Sequence, residues 1–260
     1  MKAEIAIIGG TGIYDTEIIS NSQTVDLETP YGKTSDSLTV GEFNGKKIVF
    51  LPRHGKKHSV PPHKINFRAN IWALKEIGVK RIIAPCAVGS LRENMEPGHI
   101  AIPDQFIDRT KDRESTFYDK GTVAHISTAD PFCPELRDLA ISAGKKLDYD
   151  IHEKATQVCI EGPRFSTRAE SNMFRNWGAD TINMTLFPEC VLARESQICY
   201  VAIATITDYD NLGGTAVSHH EVLKTLEKNV EKTSSIIQNI IPQINDDRNC
   251  LCANALDGAI

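Results

Sequence analysis

The chain alternates between short apolar runs and segments with helical spacing of apolar positions. The clearest run is 199–210, CYVAIATITDYD, which is apolar and β-branched until it ends in two carboxylates. Such a run reads as a strand buried on both faces between helices. Similar runs predict strands at 4–8, 81–85, 99–103, 153–160 and 180–184. Residues 37–43 and 46–51 predict a hairpin turning at Asn44-Gly45. Helical spacing marks 65–77, stopped by Gly78, and 134–147, opened by Pro134. Thr167 to Glu170 is a capping box that opens a helix to about Trp177, and another helix begins at Pro188-Glu189. Ser218 to Glu221 is a second capping box, and Val222, Leu226, Val230, Ile237 and Ile241 line one face of a long last helix. Residues 108–125 are polar and poorly patterned, as expected of a lid or an intersubunit contact. Strands alternating with helices imply an α/β fold of three layers.

The polar positions at strand ends carry the candidate chemistry. In open α/β sheets ligands bind outside the carboxyl ends of strands. Asp208 and Asp210 flank Tyr209, so extended geometry points them the same way. Two like charges there raise at least one pKa. A neutral carboxylic acid donates to a ring nitrogen and a carboxylate accepts from an exocyclic amine, partners that a 6-aminopurine offers side by side. GGTG (9–12) follows the first strand and gives backbone amides and the Thr11 hydroxyl to an anion, although taken alone it is only a tight turn. Arg53-His54 stands at a strand end with a basic loop behind it, an arrangement suited to phosphate oxygens. Cys86 to Ser90 reads as a second small-residue turn with amides for an anion, and Phe165 as a loop aromatic able to stack on a base. The missing GxGxxG disfavours a dinucleotide oxidoreductase.

Composition narrows these readings. The 260 residues suit one domain, residues 1–244, followed by a polar tail, 245–260, with a CxC ending. A net charge of −5 argues against nucleic-acid binding, and no run approaches a membrane span. The first residues enter a strand with no signal-peptide pattern, so the cytoplasm is the expected compartment. Seven cysteines without a CxxC pair indicate neither a zinc site nor a secreted disulfide framework. No metal and no organic cofactor is expected.

In order along the chain, IIGGTGIY, LPRHGKKH, FRANIWALK, VGSL, FIDRT, TFYD, EGPRFSTRAE, WGADTINMT with PE, and TDYD resemble the 5′-methylthioadenosine phosphorylases, of the trimeric purine nucleoside phosphorylase family. The resemblance spans residues 5 to about 244. It implies a distorted mixed central β-sheet flanked by helices, a homotrimer or dimer of trimers, and phosphorolysis of methylthioadenosine to adenine and 5-methylthioribose 1-phosphate. Phosphate would be held by Thr11, Arg53, His54, Cys86, Ala87 and Thr185. Ile160 and Phe165 would pack on the base beside Asn183, with Met184 under the ribose. Asp208 and Asp210 would bind N7 and the 6-amino group, Ser166 and Val222 would shape the site, and Leu223 would line the 5′ pocket. His125 would reach in from the adjacent subunit.

Two residues depart from the family pattern. Members usually carry Thr or Ser where Cys86 stands, and a thiol is a poor phosphate donor. Strict methylthioadenosine phosphorylases place a small apolar residue at His219, whereas related nucleoside phosphorylases use a His to bond a 5′-hydroxyl. His219, with Ser166 also in a specificity role, therefore implies broadening toward adenosine. Phosphorolysis of 6-oxopurine nucleosides, inosine or methylthioinosine, is the enzymatic alternative. A non-catalytic nucleoside-binding protein is the alternative of another class. Cys250-x-Cys252, and Cys133 with Cys199, resemble disulfide-forming pairs of some archaeal relatives, whereas Cys86, Cys159 and Cys190 read as small core residues.

Overall fold

The computed structural model describes residues 2–9, 19–212, 217 and 219–260, except for the side chains of 219 and 221. Its centre is a parallel ladder between β5 (Arg81–Ser90) and β11 (Cys199–Tyr209). β11 is buried along its first nine residues, because its alternate side chains enter two different cores. Tyr200 and Ala202 point into one core, with residues of α1 (Phe67–Ile77) and α4 (Leu186–Glu195). Val201 and Ile203 point into the other, with residues of α2 (Pro134–Lys146) and α5 (His219–Ile240). The result is a three-layer αβα protein around a mixed, eleven-stranded sheet.

On one flank of β5 lies β1 (Ile5–Gly9), then β4 (Lys46–Pro52), β3 (Leu38–Phe43) and β2 (Ser20–Val25). β1 pairs with β5 only over residues 81–83. Beyond that point β5 bends to a different neighbour, the antiparallel β10 (Thr181–Asn183), which meets it at 89–90. β9 (Thr156–Ile160) and β7 (Gln105–Arg109) continue from there. β6 (Ile100–Ala101) pairs with β11, and β8 (Ile151–His152) pairs with β6.

Local signals agree with most of these boundaries. The hairpin turns at Asn44 and Gly45, both at positive φ (47° and 77°), as a two-residue primed turn requires. Both halves of the Thr167–Glu170 capping box form at the start of α3 (Arg168–Asn176). The Ser218–Glu221 box lies outside the described residues. The strand predicted over 153–160 is β9 alone, which starts at Thr156, and β2, β7 and β8 were not foreseen. The turn read at Cys86–Ser90 is a correction: β5 continues through it, because each of these residues keeps a partner in the parallel ladder with β11. Trp72 of α1 is only half-buried.

The segment after residue 109 forms no regular element until α2, and it is held by specific contacts. Arg113 donates to the carbonyls of Glu161 (2.8 Å) and Phe187 (2.5 Å), and Thr116 and Phe117 both donate to Glu195. Among the described residues, no helix is long and apolar enough to cross a membrane.

Asn66 caps α1 by accepting from the Ala69 amide (3.1 Å), while its Nδ2 donates to the carbonyls of Tyr31 (2.7 Å) and Lys33 (3.3 Å). Asn66→Ala removes the cap and leaves two carbonyls without this donor, so it should destabilise the fold by about 2 kcal/mol. Asn66→Asp restores the cap but not the donors and should fall between the two in urea denaturation. Equal stability of all three proteins would contradict this account of the helix start.

Candidate functional site

A cavity of about 780 Å³ opens at the carboxyl end of the β5–β11 ladder. Its position follows from the branching of the sheet. β1 leaves β5 after Ile83 and β10 joins at Gly89, so no described strand pairs with that edge of β5 between residues 84 and 88. Backbone polar groups there need other partners. Arg53, just past the end of β4, fills part of the gap and donates from Nη1 to the Pro85 carbonyl (3.1 Å). Cys86 and Ala87 line the cavity from this open edge. The Cys86 and Val88 carbonyls meet the hydroxyls of Thr205 and Thr207 on β11, and the Pro85 carbonyl meets Arg53, so strand alternation turns the Ala87 amide to the gap, where it is available to an anion.

Arg53 is almost fully buried. Its Nε and Nη2 donate to the two carboxylate oxygens of Glu189, each at 2.7 Å, and Tyr200 Oη donates to Glu189 Oε1 (2.8 Å). This fork-to-fork geometry fixes the guanidinium plane. Breaking such a buried pair by removing one partner typically costs 3–5 kcal/mol, roughly, since a charge is left uncompensated. With three of its five N–H groups committed, Arg53 still presents a cation to the cavity.

His54 follows on the same loop. Its Nδ1 lies 2.9 Å from the Val60 carbonyl, which can only accept, so Nδ1 carries the proton and Nε2 is the ring's acceptor. Burial pushes its pKa down to about 4, with Arg53 and the His58 ring, 4.5 Å away, adding to the depression against the Val60 bond. His54 is therefore neutral at neutral pH. Cys86 is neutral as well, its thiol pushed up to about 11 by burial. Gln157 Nε2 approaches its sulfur at 3.9 Å. Thr185, buried at the entry to α4, completes this polar corner.

The opposite corner holds the two acids. β11 is irregular between Ile206 and Asp208, where Thr207 is the extra residue against β5. A bulge re-aims the side chains that follow it. Asp208 and Asp210 both lie over Gly89, where an added Cβ would stand 3.1 Å from Asp208 Oδ2 and from Asp210 Cβ. Glycine is thus needed to admit the pair. Thr207 Oγ1 is 2.7 Å from Asp208 Oδ1. Asp210 is buried, and both its oxygens are engaged: Ser166 Oγ is 2.7 Å from each, and Ser171 Oγ donates to Oδ2 at 2.5 Å. Burial raises its pKa, opposed by the bonds from Ser171 and Ser166. The expected shift is present with a different cause: desolvation replaces repulsion between the two acids.

The walls between the corners are apolar. Ile160 and the half-exposed Phe165 form one side, and Val222, Leu223 and Leu226 of α5 another. Met184 follows β10 and packs against Gly162, which has a φ of +69° and where an added Cβ would stand 2.6 Å from the Met184 sulfur. Asn183 is buried, and neither its Oδ1 nor its Nδ2 has a hydrogen-bond partner of normal geometry among the described residues. An unmet buried amide costs about 1–3 kcal/mol, which a polar ligand would recover.

Thr11 lies outside the described residues, as does the side chain of His219. His125 does not line this cavity; it is exposed, and its amide donates to the Ala259 carbonyl (2.8 Å). The sequence reading missed the Ser59–Pro62 wall, Thr207 and Leu226. It also missed Ser171 and Glu189 as the groups that hold Asp210 and Arg53. Glu189 was legible only as a carboxylate in the first turn of a helix, with nothing to say it faces inward.

Comparison with known proteins adds three findings. The family profile described as Phosphorylase superfamily matches residues 4–242. The S-methyl-5′-thioadenosine phosphorylase of Nitrosopumilus maritimus is 59% identical over 256 residues, covering 98% of this chain and 97% of that protein. Among solved structures, a methylthioadenosine phosphorylase from an antarctic soil metagenomic library superposes with a TM-score of 0.94 at 45% identity, covering 99% of this chain and 92% of that one. The methylthioadenosine phosphorylase of Schistosoma mansoni in complex with adenine gives 0.93 at 35% identity, covering 100% and 98%.

The depressed pKa of His54 has a measurable consequence. As pH falls below the ordinary histidine value of 6.5, the unfolded chain takes up a proton that the folded one refuses until about 4. Stability is therefore full above 6.5 and lost toward pH 4, by on the order of 3 kcal/mol. His54→Asn, which retains a donor toward Val60, should flatten that slope in melting curves taken between pH 7 and pH 4. Parallel slopes in the two proteins would count against a buried neutral His54.

Proposed function

This chain belongs to the phosphorylase superfamily, and from that premise we infer that it is a pentosyltransferase that cleaves S-methyl-5′-thioadenosine with phosphate, reversibly, to adenine and 5-methylthioribose 1-phosphate. The observation that carries the reading is one cavity with an anion corner, Arg53, His54 and the open Ala87 amide of β5, facing a carboxylate corner, Asp208 and Asp210.

Breaking the N-glycosidic bond leaves positive charge on the sugar and negative charge on the purine. Asp208 donates a proton or hydrogen bond at N7 and so neutralises the departing base. Asp210, held by Ser166 and Ser171, sets the position of this end and accepts from the 6-amino group. Phe165 and Ile160 pack on the base, Asn183 bonds its edge, and Met184 lies under the ribose. At the other corner Arg53, Thr185, Thr11 and the Ala87 amide, with Cys86 beside it, orient phosphate below the anomeric carbon. His54 is neutral with Nε2 as acceptor, so it suits a phosphate that still bears one proton. Phosphate both stabilises the cationic sugar and attacks it, so positioning and electrostatics carry the rate. The reaction calls for no metal or organic cofactor. Val222 and Leu223 line the 5′ pocket, with His219 extending acceptance to adenosine. His125 sits outside its own cavity and serves a neighbouring subunit in a trimer or a dimer of trimers. A cytoplasmic location completes the proposal.

The test is phosphate-dependent base release from methylthioadenosine, adenosine and inosine in parallel. Adenine should appear from methylthioadenosine while inosine stays inert, and His219→Val should lower the adenosine rate relative to methylthioadenosine. Preference for inosine would mean the acids do not read a 6-amino group. Binding without cleavage would favour the nucleoside-binding reading.

The neutral thiol of Cys86 gives a second expectation. Cys86→Ser replaces a weak donor with a hydroxyl, and one hydrogen bond of about 1 kcal/mol corresponds to roughly a five-fold lower KM for phosphate. Initial rates at varied phosphate, with methylthioadenosine saturating, measure it; an unchanged or higher KM would leave phosphate binding to the backbone alone.

A further inference from the structure

Four of the seven cysteines converge far from the cavity. Cys133 precedes α2, Cys199 starts β11, and Cys250 and Cys252 come from the C-terminal segment. All four are buried, and their sulfurs lie within 4.8 Å of one another. The Cys250 sulfur is 3.7 Å from that of Cys133 and 3.4 Å from that of Cys199. We propose that these four residues form a tetrahedral thiolate site for a zinc ion that fastens the C-terminal segment to the body of the enzyme.

The geometry carries the assignment. Four sulfurs at 2.3 Å from a central zinc stand about 3.8 Å apart along each edge of the tetrahedron. The observed spacings need only small adjustment to match. The short contacts of Cys250 reach both Cys133 and Cys199, which belong to different segments. All seven thiols are free. Tetrahedral all-sulfur sets favour zinc or iron among common metals, and zinc is the form without redox chemistry.

The ligands are pre-positioned by hydrogen bonds on either side. Arg81 Nη2 donates to the Asp247 carbonyl (2.7 Å), the Asn249 amide to Glu135 Oε1 (2.7 Å), and Gln197 Nε2 to the Ala253 carbonyl (2.5 Å). Binding displaces four thiol protons to solvent and leaves a dianionic centre. Arg81, buried and paired in register with Cys199, brings a cation to the same segment. Sequence reading found no zinc pattern because it sought CxxC pairs; the fold assembles the set from one CxC and two distant cysteines. The site lies nine residues up β11 from Asp208, about 30 Å at strand rise, so its role is structural.

The experiment uses the full chain purified anaerobically without chelator. Elemental analysis should give one zinc per chain, and denaturation with chelator should release seven reactive thiols. Exchange with cobalt should produce the intense sulfur-to-metal charge-transfer bands of a tetrahedral thiolate site. Cys252→Ser should lose the metal and melt at lower temperature, while phosphorolysis at low temperature is retained. The wild-type spectrum decides even if that variant does not fold. Three reactive thiols in the denatured protein, those of Cys86, Cys159 and Cys190, would mean two disulfides and overturn the proposal. So would seven thiols with no bound zinc and no cobalt bands.

Discussion

The candidate site depends on the β5–β11 ladder more than on any single side chain. Its two strands run parallel, so their carboxyl ends emerge together, and each brings a different half of the chemistry. β5 delivers the open backbone edge at Cys86 and Ala87, and β11 delivers Asp208 and Asp210. Burial on both faces fixes the register, because a slip of one residue would exchange the contents of the two cores. The bulge at Thr207 and the absence of a side chain at Gly89 then let both acids lean over the end of the neighbouring strand. The separation between anion corner and carboxylate corner is thus set by sheet geometry.

A second constraint is electrostatic. Arg53 is buried, and a buried cation needs a fixed counter-charge. Glu189 supplies it, held in turn by Tyr200 from β11 and by the start of α4. The cation is satisfied without ligand and its plane is already oriented, so an incoming dianion meets a site that needs little reorganisation. Keeping His54 and Cys86 neutral has the same logic. Further buried positive charge beside Arg53 would destabilise the site, and a thiolate would repel any anion drawn to Arg53.

The sequence was legible where one local rule settled the structure. Asn44-Gly45 required a hairpin, Thr167–Glu170 a helix start, and the β-branched run into TDYD a buried strand ending at a cavity. It was misleading where the same residues serve two purposes. Cys86 to Ser90 is small and glycine-bearing, which reads as a turn, yet the residues are small because β11 and two acids pack over them. β2 was invisible because SNSQTV is polar and exposed, and only pairing with β3 makes it a strand. Glu189, Ser171 and the four-cysteine cluster depend on contacts between distant segments. Arg53 and Glu189 are 136 residues apart, and no local pattern marks such a pair.

The C-terminal segment links these features. It packs its cysteines into the core under α2 and α5, and its last residues accept the amide of His125. The long excursion that carries His125 begins at β7, beside the strand that ends at Ile160 in the cavity wall. Arg113 ties that excursion to the carbonyls of Glu161 and Phe187, which bracket the base side of the cavity and the entry to α4. The excursion is therefore anchored at one end by the site of its own subunit and at the other by the tail. An anchorage of this kind restrains a polar loop that has no hydrophobic core of its own. It holds His125 at a constant place on the surface. Loosening the tail would leave the cavity's own walls intact and free first the segment that carries His125.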